Sequence, residues 1–245
     1  MTEAEWLHCD DPQVMLEYLR GKVSSRKLRL FAVACCRQVW QFLAHEGSRK
    51  GVSVAERYAD GLATELDRQA ASAAVPACYS YGDEAPTDPR NIDVFGTEAV
   101  ANALFGDGDH PSLPTYATTC AIAAARASAN TLAYAAGVAA AADKEAASRT
   151  ADYAYEAELR QRSKVVRDIF GNPFRPVVAD AAWRTTKVVG VAQAIYGERA
   201  FGRMPELAAA FEEAGCTNHN VLQHCRQADS HARGCWVLDL ILDKN

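Results

Sequence analysis

Apolar residues recur at three- and four-residue steps along most of this chain, and no stretch sustains the two-residue alternation of a half-buried strand. The pattern therefore predicts helices throughout. Val14, Met15, Tyr18 and Leu19 form one stripe, within a helix from Asp11 through Leu19 that has Pro12 in its first turn and Gly21 as its stop. Leu28, Phe31, Cys35 and Phe42 define a second helix, capped by Ser24 or Ser25 and ended by Gly47. Val54, Tyr58, Leu62 and Leu66 follow at four-residue steps and predict a third helix from Ser53 to about Ala74.

The pattern then lapses. Val75 to Gly96 holds three prolines with several Asp, Asn and Gly residues, the chemistry of a long loop. Loops of that length in a compact protein tend to carry function or mobility. A short helix is expected from near Thr97, closed by a second loop from Phe105 to Pro114. Asp107, Asp109 and His110 in that loop are hard-metal ligand types, but their spacing matches no calcium loop and reads as a polar turn.

From Tyr116 to Gly171 there is no proline and alanine dominates, which predicts one very long helix or a helical hairpin. Gly137 and the polar patch Asp143 to Thr150 are the expected breaks, and Tyr134, Tyr155, Leu159, Val166 and Phe170 supply packing volume. Gly171, Asn172, Pro173 and Pro176 form a stop signal. Beyond it short helices are predicted: one begins at Thr185 or Thr186, one has Pro205 near its start and Gly215 past its end, and one is capped by Asn218. A last one, capped by Ser230, carries Trp236 and Leu240 on one face. The expected fold is all-α, an irregular multi-helix bundle with a long Ala-rich helix or helical hairpin in the middle. Residues 1–171 form the bundle and 172–245 a C-terminal subdomain of short helices.

Composition narrows the class. With 245 residues, 49% of them hydrophobic, the chain can bury a substantial core without staples. It has no apolar run long enough for a membrane span and no basic, apolar N-terminal leader, so a cytoplasmic protein is expected, with its eight cysteines reduced. A net charge of −5 argues against nucleic acid as a partner. The basic stretch Arg20 to Arg29 is short and lacks interleaved aromatics.

The chemically suggestive segment is Leu222 to Leu242, with His224, Cys225, His231 and Cys235 inside a dozen residues. On a helix begun at Ser230, His231 and Cys235 share a face, while the adjacent His224 and Cys225 point about 100° apart. At most three metal ligands then come from this corner. A fourth has to arrive from elsewhere, with Cys35 and Cys36 the leading candidates and Cys9 and Cys216 behind them. Zinc, or another metal suited to thiolate and imidazole, is the implied ion. In the bland reading the cysteines are core hydrophobes and the histidines bond carbonyls at helix ends. A nucleophilic Cys225 needs a base and an oxyanion site that no local signature provides, and no catalytic residue is assigned. Arg37, Arg175, Arg226 and Arg233 are the candidates for an anion in an enzyme pocket, through the bidentate fork of the guanidinium.

The segments MTEAEWL, LRGKVSSRKLRLFAVACCRQVW, ERYADGLAT, RDIFGNPFRP, IYGERAFGRMPELAAAFEEAGC and HCRQADSHARGCWVLDLIL together resemble a bacterial family of uncharacterised proteins. The resemblance covers both ends of the chain and implies no activity. Three functions stand as expectations: a noncatalytic soluble helical module that binds another protein, a zinc-type structural or regulatory protein, and an enzyme with an Arg, His and Cys pocket. The first is preferred on sequence alone.

Overall fold

The computed structural model describes residues 1–76, 90–104, 116–140, 143–227 and 231–244. Among them the fold is all-α, with twelve α-helices and no strand. The chain divides into two compact units, Glu3–Val166 and Arg167–Asn245. None of the described helices is long and apolar enough to cross a membrane.

The first unit starts with α1 (Glu3–His8) and α2 (Pro12–Leu19). The Asp11 carboxylate caps α2 by accepting from the Gln13 N–H at 2.8 Å, and Pro12 sits where no intrahelical donor is needed. Ser24 caps α3 (Ser25–Gln38). The helix expected to run on to Gly47 ends at Gln38, and a 3-10 turn over Trp40–Phe42 leads into α4 (Glu46–Ala59). Gly47 is no stop. It lies in the first turn of α4, where a Cβ would stand 2.3 Å from the Ala74 carbonyl oxygen. Its missing side chain serves close helix packing.

The single helix expected from Ser53 to Ala74 is also two. Gly61, at φ +70°, turns the chain after α4, and Thr64 opens α5 (Glu65–Ala74) with a reciprocal capping box to Asp67. Leu62 and Leu66 kept the four-residue rhythm across this break, yet they are 59% and 76% exposed. Next comes α6 (Arg90–Leu104), which starts before Thr97 and takes in the end of the expected Val75–Gly96 loop. Gly96 allows close approach here too, since a Cβ would meet Leu43 Cδ2 at 3.0 Å. Residues 77–89 of that loop and the Asp107, Asp109 and His110 turn lie outside the described residues.

The Ala-rich region forms two helices, α7 (Tyr116–Ala139) and α8 (Lys144–Phe170). Gly137 is buried inside α7 rather than breaking it, and Asp143 caps α8 by accepting from the Ala146 N–H at 2.7 Å. Ala124, Ala127, Val33, Cys36, Val52, Val100 and Leu104 meet in a core shared by α3, α4, α6 and α7. Alanine on α7 lets its neighbours come close.

The second unit takes in the last turn of α8, so its boundary precedes residue 171. Gly171 follows in the left-handed conformation at φ +67°. Thr185 caps α9 (Thr186–Glu198), Pro205 sits in the first turn of α10 (Met204–Glu213), and Asn218 caps α11 (His219–Arg226). The last helix, α12 (Trp236–Leu242), does not reach back to His231: residues His231 to Cys235 form a turn, with the Cys235 N–H donating to the Ala232 carbonyl at 3.0 Å. Ser230 lies outside the described residues. Val188, Ile195, Met204, Leu207, Phe211, Val221, Cys225, Val237, Leu238 and Ile241 form this unit's core.

Candidate metal centre

Three segments of the second unit each bring polar side chains to one point. The last turn of α8 supplies Asp168, α11 supplies His224, and the turn before α12 supplies His231 and Cys235. One ligand-type atom from each lies within 4.8 Å of the other three. His231 Nδ1 is 2.6 Å from Asp168 Oδ1, while His224 Nε2 is 3.2 Å from that same oxygen and 3.1 Å from Cys235 Sγ. The two imidazoles stand edge to face, with centroids 4.8 Å apart.

The atoms turned away from this point are tied off. Asp168 Oδ2 accepts from the Ala232 N–H at 2.8 Å, so the carboxylate presents one oxygen to the cluster. His231 Nε2 lies 3.3 Å from the Gln227 carbonyl. Such bonds on the far side of a ligand orient it and fix its tautomer in metal sites. The cluster is also enclosed: Cys235 is fully buried, and the side chains of His231, Asp168 and His224 are 4%, 7% and 12% exposed.

Burial sets the electrostatics. Desolvation alone would raise the Asp168 carboxyl, but hydrogen bonds from His224 and His231 overcome it and hold the group at about 2, well below the usual carboxylate range. The Cys235 thiol goes the other way, pushed well above its ordinary value by burial and then by the Asp168 charge. Such a sulfur is no nucleophile on its own. Nor do the three groups form a Cys-His-Asp triad, because the thiol and the carboxylate both address His224 Nε2 instead of opposite ring nitrogens.

Of the residues singled out in the sequence, His224, His231 and Cys235 come together. They do so through the turn, not through a shared helical face. Cys225 is next to His224 but buried in the core of the second unit, its thiol pushed up to about 12 by burial and by the nearby Cys216 and Asp168. Cys35 and Cys36 belong to the first unit and are fully buried there, with burial pushing the Cys35 thiol up to about 11. Asp168 is the ligand-type group that the sequence reading missed. A carboxylate in the last turn of a helix opposes the helix dipole, and this misfit was the available signal.

The four arginines are dispersed. Arg37, in the first unit, pairs with Glu56 at 3.2 Å and stacks on Trp40. In the second unit Arg226 pairs with Glu212, Arg233 lies 4.5 Å from the centroid of Tyr196, and Arg175 is exposed after Gly171. Arg37 and Arg226 are thus already neutralised by carboxylates of their own unit. Comparison with known proteins returns no match to a family model, to a curated protein or to a solved structure.

Proposed function

We propose that the protein is a metal-binding protein that holds one zinc-type ion through Asp168 Oδ1, His224 Nε2, His231 Nδ1 and Cys235 Sγ. The observation that carries this reading is the convergence of four ligand atoms from three segments within 4.8 Å. Tetrahedral bonds of about 2.0–2.3 Å place ligand atoms roughly 3.3–3.6 Å apart, close to the 3.1 and 3.2 Å already present around His224 Nε2. A divalent cation would reverse the penalties that keep the Cys235 thiol protonated. It would also displace the hydrogens that His224 Nε2 and His231 Nδ1 share with Asp168.

Two imidazoles, a thiolate and a carboxylate suit zinc among the common metals. Four protein ligands in an enclosed site leave no position for substrate, which favours a structural or regulatory centre over a catalytic one. The ion would clamp α11 and the turn before α12 to the end of α8. A reducing cytoplasm suits this reading, because it keeps a lone thiolate ligand unoxidised. The protein-interaction reading has less support: the large apolar side chains exposed among the described residues are Leu7, Val14, Leu62, Leu66, Tyr153 and Val178, scattered along the chain.

The test is plasma mass spectrometry on untagged protein purified without chelator. The expected result is about one equivalent of zinc per chain, lost in Asp168→Ala and in the double variant His231→Ala/Cys235→Ser. Folded protein that stays metal-free after incubation with zinc and desalting would overturn the reading.

A further inference from the structure

We infer that Trp236, seated on the bare backbone of Gly171, is a positioning residue that fixes the His224 ring as a metal ligand. This rests on the metal reading above and adds to it which residues outside the ligand set hold the geometry.

The contacts run in sequence. Gly171 lies three positions after Asp168 and takes φ +67°, the left-handed region that favours glycine. A Cβ there would stand 3.2 Å from Trp236 Cγ, a few tenths of an ångström closer than packed carbons normally sit, and 3.4–3.5 Å from the next two indole carbons. The indole therefore packs directly against the bare backbone of Gly171, and a side chain there would have to push it outward. The indole also meets the His224 ring, at a centroid distance of 5.2 Å and an interplanar angle of 53°. The second ring against His224 is that of His231, at 4.8 Å and 72°.

His224 needs this support more than the other ligands do. Asp168 is held by the Ala232 N–H, and His231 by the Gln227 carbonyl. Cys235 is fixed by its place at the start of α12, where its own N–H bonds the Ala232 carbonyl. Among the described residues the polar contacts of His224 are made by Nε2, toward Cys235 and Asp168. Rotation about its Cβ–Cγ bond is thus governed by the flat faces packed on the ring. Trp236 follows the ligand Cys235 directly, so the helix start that delivers the sulfur also delivers the indole. One segment sets two ligands.

Co(II) is the probe, because its visible absorption reports the number and arrangement of its ligands separately from protein stability. Chelator-stripped full-length protein is titrated with Co(II) as wild type, Trp236→Leu, Trp236→Phe and Gly171→Ala. Leu keeps an apolar side chain without a flat face, and Phe keeps the face. Trp236→Leu and Gly171→Ala should weaken Co(II) binding roughly 10- to 100-fold and shift the d–d bands, while Phe stays within a few-fold of wild type. In the double variant Gly171→Ala/Trp236→Leu the losses should not add, since both act through one ring. Circular dichroism of each metal-free variant checks that the helices persist, and Trp236→Phe against Trp236→Leu decides the matter if the Gly171 variant does not fold. Equal affinities and unchanged spectra in folded variants would overturn the positioning role and leave the metal reading standing. A wild type that binds no Co(II) would overturn both.

Discussion

In the first unit Arg162 is fully buried and brings a positive charge to the acceptors around it, the Glu158 carboxylate and Ser128 Oγ. In the second, Asp168 lies almost as deep and gathers two imidazoles and a thiol. Both clusters cost desolvation, and both draw on segments distant in sequence. The Arg162 cluster carries its own cation, so its lone pairs are already spoken for. Around Asp168 every group can offer a lone pair to one point once three hydrogens leave, those on His224 Nε2, His231 Nδ1 and Cys235 Sγ. A burial tally does not separate the two; the sign and number of the converging groups do. Cys35 and Cys36, beside Arg162, thus read as core thiols, while Cys235 reads as a ligand.

The largest effect that would sharpen this contrast is expected from Asp168→Ala. It strips the shared acceptor from His224, His231 and the Ala232 N–H, leaving buried donors unsatisfied. Metal-free protein should lose about 3 kcal/mol in the second unit, read by denaturant unfolding, and zinc should no longer raise stability. An unchanged midpoint would break the comparison on this side.

A smaller loss, about 2 kcal/mol, is expected for Gly47→Ala. Its Cβ would meet backbone oxygen, which cannot swing aside, so α4 and α5 must separate. Zinc content should stay the same, because the effect belongs to the first unit.

Arg162→Met should cost about 1–2 kcal/mol, less than Asp168→Ala. The Glu158 it abandons is one-quarter exposed and can rehydrate, and Met fills the space of the arginine stem. Metal affinity should again be unaffected. A drop in zinc content here would mean that the two clusters are not independent.

The smallest effect is one of pH. The Glu65 carboxyl is held down to about 2, chiefly by its hydrogen bonds to Arg68. A depressed carboxyl adds stability that is fully present above its ordinary value near 4.5 and fades as the pH falls toward 2. Melting curves of wild type and Glu65→Gln should therefore differ near neutrality, draw together as the pH falls below about 4.5 and converge only near pH 2. Because Glu65 is half-exposed, the difference should be a degree or two, on the order of a surface ion pair. A gap that widens in acid would contradict the assignment.

Much of this was legible in the sequence where a local rule decides the outcome. Asp11, Ser24, Thr185 and Asn218 cap helices as capping chemistry directs, and Gly171 and Gly215 take the left-handed stops. Errors came where one signal has two physical causes. A glycine ends helices and also permits close packing, and Gly47 and Gly96 serve the second use. A four-residue apolar rhythm marks a buried face, but Leu62 and Leu66 keep it across a turn and face solvent. At the site, His224, His231 and Cys235 were visible because the chain places them near one another. Asp168 precedes His231 by 63 residues, and only the fold brings it in.

The most direct test of the central claim is X-ray absorption at the zinc edge on protein loaded with one equivalent of zinc. The geometry predicts a four-coordinate ion with one sulfur at about 2.3 Å and three nitrogen or oxygen ligands at about 2.0–2.1 Å. A sulfur-free shell, or two or more sulfurs, would contradict an Asp168, His224, His231 and Cys235 centre.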